Sequence, residues 1–213
     1  MSNPTSSIDR RALLASTAAA LVLTACSNII GPPEASPLYV LDPANPKPTG
    51  GPPVVWQLSI VLPEAPDSLD TVRIALLQPN GQLDYYANSN WQDRLPFLVQ
   101  SSLVEAFEAS GRTPGVGRDS EGIKSDYLLV TDIRALEARY DVADAPPMAQ
   151  VRIEAKLINA HTRTIVRSSD AHSEVRAAQN NVLSVVAAMN QALADVQSQI
   201  VSWVLTAPAP KRA

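Results

Sequence analysis

With 213 residues, 17 basic against 21 acidic side chains and one cysteine, the chain is long enough to bury one core and too short to require a second. A net charge of −4 with no basic cluster argues against nucleic-acid binding. One cysteine excludes an internal disulfide, and together with two histidines, His161 and His172, it offers no metal-ligand spacing.

Arg10 and Arg11 precede an uncharged apolar run over residues 12–23, which is the layout of an export signal. About a dozen residues fall short of the roughly 20 that a permanent membrane helix takes. Leu23-Thr24-Ala25-Cys26 follows at once and resembles the lipobox of bacterial lipoproteins, with Cys26 at the acylated position. The resemblance implies cleavage after residue 25 and a mature chain of 188 residues. Without Arg10, Arg11 and Asp9 that chain has 15 basic and 20 acidic residues, a net charge of −5. It also implies a diacylglyceryl thioether and an N-acyl chain on Cys26; one chain alone binds reversibly, and each buried methylene adds about 0.8 kcal/mol. The acyl chains are covalent, and no cofactor is expected. Asp9-Arg10-Arg11-Ala12-Leu13-Leu14 also resembles a twin-arginine signal, so the export route stays open. Ser27, where Asp would favour inner-membrane retention, favours the outer membrane.

Residues 27–53 hold eight prolines and cannot sustain a helix or central strand, so 26–53 reads as an extended tether, with Leu38-Tyr39-Val40-Leu41 as an apolar island able to pair at a sheet edge. At about 3.1 Å per residue, 27 such residues reach at most about 80 Å. Strands are expected over 54–62, 72–77 and 82–86, the last two joined by the turn Gln78-Pro79-Asn80-Gly81. A helix is expected over 93–110, with Pro96 near its start and Gly111 past its end, then a loop over 111–122. Residues 127–140 read as a strand with Leu129, Thr131, Ile133 and Ala135 on one face. Val151, Ile153, Ala155 and Leu157 alternate with Arg152, Glu154 and Lys156, and a further strand over 163–175 completes a hairpin with one wet face. A final helix over 180–205 carries Val182, Val186, Met189, Leu193, Val196, Ile200 and Trp203 in a narrow stripe that fits docking across the sheet or, as the alternative, a seam with a partner helix. The expected fold is α+β: a mainly antiparallel sheet with two principal helices, one domain over 54–206 and a tail over 207–213.

No catalytic pattern survives inspection. Gly115-Val116-Gly117-Arg118-Asp119-Ser120-Glu121-Gly122 has Ser120 where a dinucleotide fingerprint needs glycine and Arg118 where a nucleophile elbow does. Pairing Ser120 with either histidine is arithmetic open to most chains. The carboxylates Asp141 with Asp144, and Glu105 with Glu108, fit solvated positions. Trp56, Trp91 and Trp203 fit packing roles.

Leu38-Tyr39-Val40-Leu41, Leu69-Asp70-Thr71-Val72-Arg73-Ile74-Ala75, Leu83-Asp84-Tyr85-Tyr86 leading to Trp91, Arg94-Leu95-Pro96, and Asp126-Tyr127 stand in an order that resembles the ABC-type transport auxiliary lipoproteins. The resemblance implies a non-enzymatic periplasmic subunit of a mammalian-cell-entry (MCE) transport system that supports phospholipid or other hydrophobic traffic between membranes. Implied partners are the MCE protein, its permease and ATPase, and copies of the chain itself. A lipid-binding carrier, with an apolar groove between the last helix and the sheet, is one alternative; a structural envelope lipoprotein is another.

Overall fold

The computed structural model describes residues 36–44 and 51–210. The expected signal peptide and Cys26 lie outside them. From Pro37 onward the chain forms one compact unit.

Its centre is three long strands, β6 (Tyr127–Arg139), β7 (Met148–Asn159) and β8 (Ile165–Arg176), paired antiparallel in chain order. The alternation in β7 dictates the two-sided sheet: Val151, Ile153, Ala155 and Leu157 are fully buried while Arg152 stands in solvent. Asn159 makes the β7–β8 turn local, its Oδ1 accepting from the N–H groups of His161 (2.9 Å) and Thr162 (3.1 Å). Arg163 takes the left-handed conformation there, at φ 56°.

Two short strands share the other edge of β6, both parallel to it. β2 (Leu58–Ile60) pairs with Tyr127, Leu128 and Leu129, and β3 (Arg73–Leu77) pairs with Ala138 and Arg139. Between them the chain stays on β6 as far as Glu64, whose N–H donates to Thr131 O (3.0 Å) and whose carbonyl accepts from Ile133 N (2.8 Å). The strand expected over 54–62 is regular only over the three residues of β2, and Pro63 and Pro66, which lack N–H groups, interrupt the ladder beyond it. β4 (Leu83–Trp91) turns back on β3 through Gly81 at φ 82°, as the turn signal requires, and runs five residues past the expected end at 86. Its polar second half, Ala87-Asn88-Ser89-Asn90, carries β1 (Leu38–Tyr39) in parallel. The loop expected over 111–122 contains β5 (Val116–Arg118), parallel to β2, and a 3-10 turn (Asp119–Glu121). The described residues thus form one eight-stranded sheet.

Helix α1 (Leu95–Ser110) has Pro96 in its first turn and ends at Gly111, left-handed at φ 63°, whose N–H caps Glu108 O at 3.0 Å. Gln100 fixes it to the sheet: its buried amide donates to Ile60 O at 2.9 Å. Helix α2 (Val182–Leu205) begins at Asn181, whose side chain accepts from Ser184 N (2.9 Å), a cap that contributes about 1 kcal/mol. It lies across β6, β7 and β8 and also touches α1. For that reason Val185, Ala188, Ala192, Val201 and Val204 are buried beside the expected stripe, which is broader than its spacing suggested. The α+β architecture expected from the sequence is the one observed.

One face assignment is corrected. Arg134 is an extra residue opposite β7: Ile133 pairs with Ile153, then Ala135 with Arg152. The bulge turns Ala135 away from Ile133 to the outer face and brings Leu136 inward against Val151.

Candidate functional site

The residues weighed for chemistry do not converge. His161 Nε2 lies 3.3 Å from Asp126 Oδ1, in a hollow with Gln57, Lys124 and Ser125. Asp126 is already committed to the backbone, its Oδ2 accepting from Gln57 N–H at 3.0 Å, so it fastens the start of β6 to the segment before β2. His172 stands on the outer sheet face in the row of Ala135 and Arg152. Ser120 is exposed in the 3-10 turn, and Glu105 and Glu108 are exposed on α1. Asp144 is exposed at φ 59°. Asp141 is held by Arg176 at 2.6 and 3.1 Å, and the hydrogen bond from that guanidinium keeps its carboxyl below the ordinary range. Among the described residues no three of His, Cys, Asp or Glu are grouped to hold a metal ion. Trp56 and Trp91 are core residues, Trp56 meeting Tyr127 edge-on with centroids 5.1 Å apart. Trp203 is half-buried under Arg167.

The groove that a lipid carrier would use, between α2 and the sheet, is occupied by the protein's own side chains. Val151, Ile153, Ala155 and Leu157 from β7 and Met189, Leu193, Val196 and Ile200 from α2 are all fully buried in one core cluster. Gln197 is fully buried with them, and its carboxamide has no hydrogen-bond partner among the described residues.

What the fold displays instead is surface. On the outer face of β6–β7–β8, Asp132, Glu154 and Asp170 form one acidic cross-strand row. Arg134 bridges Asp132 (2.9 Å) and Glu154 (2.6 Å), Arg152 holds Asp170 (2.7 Å) and Lys156 reaches Glu154 (3.4 Å). Further along, Arg139 pairs with Glu174 at 3.1 Å. These pairs are exposed and screened by solvent, so the network sets the charge pattern more than the stability. A second surface is the concavity between the segment after β1 and α1, lined by Val40, Asp42, Asp93, Phe97 and Glu105 among others. Neither was legible in the sequence, because cross-strand register decides which residues become neighbours.

No helix among the described residues is long and apolar enough to cross a membrane. The family model for the ABC-type transport auxiliary lipoprotein component matches residues 39–201. The crystal structure of protein XCC0632 from Xanthomonas campestris is similar over 79% of this chain and 95% of that one, at 29% identity and a TM-score of 0.73. A second crystal structure, of an uncharacterised protein, shares the fold over 76% of this chain and 99% of its own, at 16% identity and a TM-score of 0.60. An uncharacterised protein of Bradyrhizobium diazoefficiens is 28% identical over 155 residues, 70% of this chain; the match spans 40% of that relative's length. The match over 39–201 decides the family: the chain belongs to the ABC-type transport auxiliary lipoproteins.

Proposed function

We propose that the protein is a periplasmic subunit of an MCE-type ABC transport system, acylated at Cys26, held at the outer membrane, and supporting phospholipid or other hydrophobic traffic by binding the MCE protein. The family supports the lipoprotein and transport parts of this reading. The observation that supports action through a partner is the filled interface between α2 and the sheet: a domain that spends its apolar interior on its own helix is left with its surface to act through. The same packing weighs against the carrier alternative.

The structure bears on reach. Leu38 and Tyr39 pair with β4, Leu41 is buried, and Asp42 N–H donates to Asn190 Oδ1 of α2 (2.9 Å), so the sheet takes in a segment that the sequence assigns to the tether. Residues 27–37 are then left between Cys26 and β1, and fully extended they span at most about 40 Å. That length is close to the diameter of a domain of this size, roughly 40 Å.

The test is a crosslinking pull-down from membranes with the Cys26-anchored protein as bait and Cys26→Ala as control, followed by mass spectrometry. Recovery of an MCE protein with the anchored bait alone is the expected result. Recovery of peptidoglycan-associated proteins without any transporter subunit would sink the transport reading and favour a structural role.

A further inference from the structure

β1 ends the sheet on the side of β4, and its hydrogen bonds run inward to that strand. Asn90 N–H donates to Pro37 O (3.3 Å) and Gln92 N–H to Tyr39 O (3.0 Å), so the alternation of a strand turns the amide and carbonyl of Leu38 away from β4. Among the described residues no backbone group of Leu38 or of Val40 has a hydrogen-bond partner.

A two-residue strand could be simply a blunt end, since shortness and charge both discourage pairing at a sheet edge. The side chains around this one are of another kind. Leu38 is 66% exposed and Val40 50%, and Val40 lines the concavity beside α1 together with Phe97, itself 40% exposed. Asp42, Asp93 and Glu105 line the same concavity. All three are exposed, and none has an ion pair among the described residues. Arg94, which adjoins Asp93, is taken up by Asp70. The contrast is the outer face of β6–β7–β8, where Asp132, Glu154 and Asp170 each hold an arginine. Beside β1, an open backbone edge, exposed apolar side chains and three unpaired carboxylates meet at one place.

We infer that the β1 edge and its concavity receive an extended, basic segment of a partner protein. Its backbone pairs with Leu38 and Val40, an aliphatic side chain enters between Val40 and Phe97, and its lysines or arginines meet Asp42, Asp93 and Glu105. Strand addition draws affinity from main-chain hydrogen bonds and selectivity from pockets for alternate side chains. Complementary charge then decides which strand is accepted. The inference rests on the proposed action through a partner and on nothing else in that reading: the segment belongs to whichever protein supplies this chemistry.

The probe is a capped octapeptide alternating valine with lysine, offered to the mature acylated protein in micelles of a non-ionic detergent, and its counterpart carries glutamate in place of lysine. Amide exchange is followed residue by residue over 36–42. The lysine peptide should slow exchange several-fold at Leu38 and Val40 and change little at Tyr39, whose amide already faces β4, while the glutamate peptide protects neither. Glu105→Lys and Phe97→Ser, both at exposed positions and with melting temperatures as the folding control, should each remove most of that protection. Protection that survives both substitutions overturns the concavity, and equal protection by the two peptides overturns the basic partner. Exchange that neither peptide alters overturns the docking edge. Protection that grows with protein concentration in the absence of peptide overturns the inference in favour of a second copy of the chain. None of these readouts involves a transporter subunit, so failure of the transport reading in the pull-down is told apart from failure here.

Discussion

Glu137 is 9% exposed on β6, in the row of Gln150 and Glu174, and burial pushes its carboxyl pKa up, against the lowering effects of a hydrogen bond from the Leu136 backbone and the charge of Arg139. An acid with a raised folded-state pKa binds more protons folded than unfolded, so stability falls as pH rises through the window above its unfolded value of about 4.3. Asp141, Glu154 and Asp170 run the other way: guanidinium hydrogen bonds lower their pKa, and what they contribute is lost as pH falls through that lowered value. Comparing Glu137→Gln with the parent isolates the first effect. The variant should melt higher than the parent at pH 7 and gain nothing at pH 4, as read by thermal unfolding at the two pH values. Parallel melting across that range would mean that Arg139 already compensates the buried charge.

At the scale of elements, α2 illustrates a stabilisation that its own sequence lacks. Its last turn contains no basic residue to meet the helix dipole. Arg167 of β8 supplies one: its guanidinium donates to Trp203 O, to Val204 O (3.3 Å) and to Thr206 Oγ1 (3.2 Å), and lies 4.8 Å over the Trp203 ring. Arg167→Ala should cost about 2 kcal/mol and speed amide exchange over residues 201–207 more than over 182–190. Arg167→Lys should restore only part of it, since a point charge lacks the fork and the stacking. Uniform exchange along α2 in the alanine variant would show that the cap is not local.

The long strands and both helices announce themselves through period and caps, and Asn181 trims the expected start of α2 by two residues because it is the cap. β5 is a strand only by virtue of β2 beside it, and the second half of β4 is polar because it borders the two-residue strand β1. The Arg134 bulge inverts Ala135 without any turn residue to mark it. The aliphatic row of Leu128, Ile158 and Ile165 joins residues up to 37 positions apart, so it exists only once register is fixed.

For the molecule as a whole, the incorporation of residues 38–41 into the fold sets where the tether can be shortened. Removing residues 32–50, all of them inside the tether expected over 26–53, takes out β1 and the buried Leu41. Removing 27–36 leaves them and should leave the melting temperature within a degree or two of the parent, while crosslinking of the anchored protein to its transport partner falls sharply. Undiminished crosslinking would take tether length out of the account.

The sheet also ends on one side at β8, twelve residues long, and there His172 N–H donates to Gln199 Oε1 (3.3 Å) while its carbonyl accepts from Gln199 Nε2 (3.0 Å). A carboxamide presents the same donor and acceptor as a peptide group, so one side chain of α2 fills, at this single position, the place of a ninth strand. Lipid anchoring confines copies to a plane, where open strand edges collide far more often than in free solution. An incoming strand must break both Gln199 bonds to pair along the length of β8, so the amide turns a frequent encounter into an unproductive one.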